Sequence, residues 1–123
     1  MSSHPAVKAA PTFSVDIHMA GDIAAAGLFI QRYAIENGMC VTLMPQSFIY
    51  TGGREEGFRV GFINYPRFPT THLPHIQDAA YRLALALLEE LGQHSFCITD
   101  PERTVWYSRR EADPAAQSRE MGQ

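Results

Sequence analysis

Asp16 and His18 stand two residues apart in the run FSVDIHM. Side chains alternate between the two faces of a strand, so this spacing puts a carboxylate and an imidazole on the same side. The pair is the raw material of a general base, but it becomes one only when a third group orients it. No nucleophile stands at a fixed spacing nearby, and polar residues on the open face of a one-sided sheet account for the pair more simply. Two other couples have metal-ligand chemistry: His72 with His75 at a helix start, and His94 with Cys97. His94 and Cys97, three apart along a strand, point to opposite faces, and the topology derived below separates His72 from His94. We expect no metal site, no cofactor and no catalytic residue.

A second kind of chemistry is binding, and it concentrates in FIYTGGREEGFRVGFINYPRFP, residues 48–69. Gly52 and Gly53 expose backbone N–H groups, and Arg54 can pair with an anion. The helix start at Gly21 and Asp22 adds partial positive charge, and His94 joins from the connection after the second helix. Together these loops are a candidate ligand-binding site for a phosphate or carboxylate. The plainer account is a long hairpin turn of glycines and charges, with Asp22 a cap whose own charge opposes an anion. Neither GxxxxGK[ST] nor GxGxxG occurs. Further on, Asn64, Tyr65, Arg67 and Phe68 set two aromatics and an arginine on a backbone stiffened by Pro66 and Pro69. They form a candidate partner-binding surface, since Tyr and Arg are common interface anchors. The competing account has Phe68 covering the base of the core.

The elements that must position these residues follow from periodicity. Phe13, Val15, Ile17 and Met19 alternate with polar residues and predict a strand. Asp22 as N-cap, Ile23, Gly27, Ile30 and Ala34 at helical spacing, and Asn37-Gly38 as a stop predict a helix over about 22–37. CVTLMPQSFIY reads as a strand interrupted by Pro45, hence an edge strand. TGGREEG, residues 51–57, reads as a turn, and FRVGFINY returns to complete a hairpin. Leu73, Ile76, Ala80, Leu83, Ala84, Leu87 and Leu91 mark one face of a second helix that ends near Gly92. A terminal hairpin turns at Asp100-Pro101-Glu102-Arg103. The order is that of an α+β, ferredoxin-like split βαβ fold (β-α-β-β-α-β) plus a C-terminal strand. Right-handed crossovers give an antiparallel sheet ordered 5-4-1-3-2, with two helices on one face. The Gly52 turn and the Asn64–Phe68 loop then lie at opposite ends of the sheet, roughly 25 Å apart at ~3.3 Å per residue.

The chain has 123 residues, enough for one domain with a real core. We expect a single α+β domain over 12–110 between flexible tails at 1–11 and 111–123. Hydrophobic residues make up 46%, charged residues 19%, and the net charge is −3. Lys8 is the only lysine and the nine arginines are scattered, so nucleic acid is not expected as a partner. No window reaches the ~20 apolar residues that span a bilayer, and no basic segment precedes an apolar stretch at the start. Cys40 and Cys97 lack CxxC spacing and suit a reducing cytoplasm.

The segments MAGD (19–22), FIYTGG (48–53), GFINYPRFP (61–69), QHS (93–95) and TVWYSRR (104–110) resemble small uncharacterised accessory proteins of temperate bacteriophages. The resemblance covers about residues 13–110. It implies a bacterial cytoplasm and a phage or prophage accessory role, such as binding a host or defence component, and it assigns no activity. The expectation is therefore a non-catalytic binding protein with a protein partner. Ile63, Tyr65 and Trp106 leave apolar surface that also predicts a homodimer. The alternative is small-molecule or anionic-ligand binding, sequestering or enzymatic, at the loops around Gly21, Gly52–Arg54 and His94.

Overall fold

A computed structural model of the chain describes residues 4–69 and 72–110. The expected tail 111–123 lies outside the described residues, and residues 4–11 form neither helix nor strand. The elements are β1 (Ser14–Ala20), α1 (Ile23–Asn37), β2 (Thr42–Tyr50), β3 (Gly53–Ile63), α2 (Leu73–Leu91), β4 (Ser95–Thr99) and β5 (Thr104–Ser108). They form one antiparallel sheet in the order β2-β3-β1-β4-β5, the expected order read from the other edge.

The alternation in β1 puts Val15, Ile17 and Met19 into the core, all essentially inaccessible. Ala26 and Ile30 of α1 join the same cluster, as do Ala80, Leu83, Ala84 and Leu87 of α2. Both helices therefore cover one face, and the other face carries the polar half of each strand. The Asp22 carboxylate accepts from the Ala24 N–H at 3.0 Å and starts α1. Gly38 and Gly92 end the two helices in the left-handed conformation, at φ 64° and 63°. The Asp100 carboxylate accepts from the backbone N–H groups of Glu102 (2.7 Å) and Arg103 (2.9 Å), which sets the β4–β5 turn.

One boundary differs from expectation. The turn assigned to residues 51–57 shrinks to Thr51 and Gly52, because Tyr50 pairs with Gly53 and β3 runs through Arg54, Glu55 and Glu56. The charged run is strand and not loop because cross-strand bonds satisfy it. Ser47 donates to Glu56 at 2.8 Å and Tyr50 donates to Glu55 at 3.2 Å across the strands, and within β3 the Arg54 Nε donates to Glu56 at 2.9 Å. β1 stops opposite Gly57, its last link being the Gly21 N–H on the Glu56 carbonyl at 3.1 Å. Beyond that point β2 and β3 continue as a two-stranded arm with Pro45 at its root on the sheet edge. Among the described residues no helix is long and apolar enough to cross a membrane.

Candidate functional site

Strand register fixes what meets on the open face. His18 lies between Arg59 of β3 and Cys97 of β4, and Cys97 lies beside Trp106 of β5. Burial holds the His18 pKa below its ordinary 6.5; Arg59 adds to this, while Asp16 opposes it. The neutral ring is held from both sides: the Gln46 amide donates to Nδ1 at 2.9 Å, and Nε2–H donates to the Thr99 hydroxyl at 3.0 Å. The orienting groups missing from local sequence are thus supplied by β2 and β4, and they occupy both ring nitrogens.

Above His18, towards the arm, the open face deepens into a cleft of about 320 Å³. His18 and Ala20 line its floor, and Phe48 and Glu55 line it from the arm. On the far side it is lined by Cys97, Trp106, His94 and Arg110. The arm can close on the sheet because Gly57 has no side chain: a Cβ there would sit 2.6 Å from the Phe48 ring and 2.3 Å from the Met19 carbonyl oxygen. Glu55 accepts from the Tyr50 hydroxyl, which raises the Tyr50 phenol above its ordinary value near 10. Among its described lining residues the cleft combines three aromatic residues, Phe48, Phe96 and Trp106, with one carboxylate and one guanidinium, a set suited to a flat, charged small molecule.

The residues expected to form the upper site do not all meet. His94 lines the cleft, and Cys97 lines it too, despite the alternation argument that set them apart, because His94 precedes β4 and escapes its pleat. Gly52, Gly53 and Arg54 are at the arm tip and do not line it. Arg54 is engaged by Glu56 and Ser47, on the arm face opposite Glu55. Gly21 packs near Leu91 and Gln93. Phe48, Glu55, Trp106 and Arg110 were missed; the signal was the alternation of Phe48 and Tyr50 continuing past Pro45, which extends the hairpin and gives Glu55 a face.

At the opposite end a larger cavity of about 690 Å³ is lined by Phe62, Tyr65, Phe68 and Ile76, with no carboxylate or guanidinium among its described lining residues. Asn64, expected on a partner surface, is buried (6% exposed), and its amide donates to the Pro11 carbonyl at 2.8 Å. Its role is to anchor the entering chain. Phe68 is 72% exposed, packs edge-on to Tyr65, and carries the Arg67 guanidinium over its ring at 5.4 Å. His72 and His75 are adjacent, with ring centroids 5.3 Å apart.

No protein-family model matches the chain, and no curated protein does. Two solved structures share its fold. A phage SAM lyase in its apo state superposes with a TM-score of 0.62 at 14% identity, covering 80% of this chain and 90% of that one. A phage SAM lyase in complex with S-methyl-5'-thioadenosine gives 0.64 at 12% identity, covering 86% and 96%. Both neighbours are phage proteins, in keeping with the setting the sequence resemblance implies. They also overturn the expectation of a non-catalytic binding protein: the neighbours are enzymes, one of them solved with a small molecule. The alternative reading, a small-molecule site at the upper loops, is the better supported of the two.

Proposed function

We propose that this chain cleaves S-adenosylmethionine (SAM), releasing S-methyl-5'-thioadenosine, in the upper cleft. The observation that carries the proposal is the meeting of Phe48 and Trp106 with Glu55 around one opening of about 320 Å³, at the lower end of the ~300–1,000 Å³ usual for small-molecule sites. Aromatic faces suit an adenine ring, and a carboxylate suits a sulfonium cation. The likeness to phage SAM lyases, one in complex with S-methyl-5'-thioadenosine, supports the same ligand chemistry.

The expectation against catalysis rested on missing parts, since the chain offers nucleophiles and bases only singly. That argument fails for this chemistry. A sulfonium is already an activated leaving group, so the sulfur departs with the bonding electron pair as a neutral thioether. The carbon that loses the sulfur gains its new bond from the substrate's own α-carboxylate oxygen, which closes a lactone as the thioether leaves, without water and without a protein nucleophile. The protein has to hold the substrate and shield it, and His18, with both nitrogens engaged, serves as a rigid floor. A cytoplasmic location in a bacterial host suits the two free thiols.

The test is incubation of the purified chain with SAM, with mass spectrometry of the products. S-methyl-5'-thioadenosine should accumulate above the rate of spontaneous decay. Trp106→Ala should weaken binding of that product about tenfold, from a base–aromatic stack worth ~1–3 kcal/mol. No product above the blank, and no binding of S-methyl-5'-thioadenosine, would refute the proposal.

A further inference from the structure

The two ionic groups of the upper cleft stand on opposite sides of it. Glu55 lies on the β3 arm, and Arg110 lies two residues beyond the end of β5. Between their strands lie β1 and β4, so three strand spacings of ~4.8 Å separate the backbones by about 14 Å. Two long side chains reaching inwards can bracket a ligand in that gap. Arg110 is the one guanidinium among the described residues that line the cleft. Like Arg59, Arg67 and Arg103, and unlike Arg32, Arg54, Arg82 and Arg109, it makes no ion pair among the described residues, and its backbone N–H donates to the Ser108 hydroxyl. His94, the neighbour of Arg110 on that side, adds a second group able to donate to an anion.

A cleft with an acid on one side and, on the other, a guanidinium that no described carboxylate pairs with is built for a molecule carrying both charges. We infer, resting on the reading of this cleft as a SAM site, that Arg110 binds the substrate's α-carboxylate while Glu55 faces its sulfonium. Arg110 is then the residue that separates the carboxylated substrate from its decarboxylated counterpart. It also separates substrate from product, because S-methyl-5'-thioadenosine carries neither charge and leaves without breaking an ionic contact.

The test is calorimetric titration of three ligands into the full chain: S-methyl-5'-thioadenosine, and SAM and decarboxylated SAM each supplied as the uncleavable analogue with a protonated amine in place of the sulfonium and named below for the compound it replaces. Wild type should bind SAM about tenfold more tightly than the decarboxylated form, the size of one charge-assisted contact in a solvent-open cleft. Arg110→Gln should remove that preference and leave the affinities for the decarboxylated form and for S-methyl-5'-thioadenosine unchanged. Arg110→Lys should restore part of it, and higher salt should erode it in wild type alone. Equal loss for all three ligands, or no loss for any, overturns the inference. Wild type that binds S-methyl-5'-thioadenosine but does not discriminate between the two sulfonium compounds overturns it while leaving the site assignment standing. Wild type that binds none of the three overturns both.

Discussion

Gly57 is where the fold and the cleft depend on one missing methyl group. In Gly57→Ala the new Cβ would stand 2.3 Å from the Met19 carbonyl oxygen, 2.6 Å from Phe48 Cε2 and 2.8 Å from Ala20 Cα. Two of these atoms are backbone of β1, held between β3 and β4, so they cannot turn aside. Overpacking a well-filled site costs ~1–3 kcal/mol, and backbone contacts this close put the cost at the upper end, about 3 kcal/mol. For a domain of this size each kcal/mol lowers Tm by about 4–8 °C, so the melting point should fall by about 12 °C or more. Gly61→Ala is the graded comparison: its Cβ meets Thr42 Oγ1 at 2.5 Å, an edge-strand side chain free to rotate, for about 1 kcal/mol. Gly52→Ala meets nothing within 4 Å and should change stability by less than about 0.5 kcal/mol. Thermal and urea unfolding followed by circular dichroism measure the series. Because the Phe48 ring must move to make room, Gly57→Ala should also weaken binding of S-methyl-5'-thioadenosine more than its stability loss explains. If Gly57→Ala and Gly52→Ala melt together, the close approach of the arm to β1 is wrong.

Asn64→Ala removes the buried bond to the Pro11 carbonyl and should cost ~1–3 kcal/mol in urea unfolding, while Tyr65→Ala at the neighbouring exposed position should cost less. His18 should titrate below 6.5 in an NMR pH series, because burial disfavours its charged form. The unfolded chain then binds the proton first, so the His18 contribution to stability is complete above pH 6.5 and is lost as pH falls from there through the folded pKa. His18→Gln should flatten that part of the stability profile. We propose that the chain also self-associates through its exposed apolar residues, Ile63 being 59% exposed, and light scattering should give about twice 13.7 kDa; a monomer at all concentrations refutes this.

The sequence by itself determined the element order, both helix ends and the antiparallel sheet. These depend on short-range physics: alternation in Val15–Ile17–Met19, the Asp22 cap, and glycines able to take a left-handed φ after Asn37 and Leu91. It also singled out His18 and His94 as chemically able. Only the tertiary structure decided what those residues meet. The Gln46 and Thr99 partners of His18 are 28 and 81 positions away and reach it through strand register. Glu55 was assigned to a turn because glycines and charges have no inward pull of their own. Cross-strand bonds from Ser47 and Tyr50 make that segment a strand and bring Glu55 to the cleft. Trp106 and Arg110 reach the same opening only because the sheet carries β5 alongside β4. A site assembled from five strands has no local spacing to read, since no two of its charged groups are neighbours until the chain has folded.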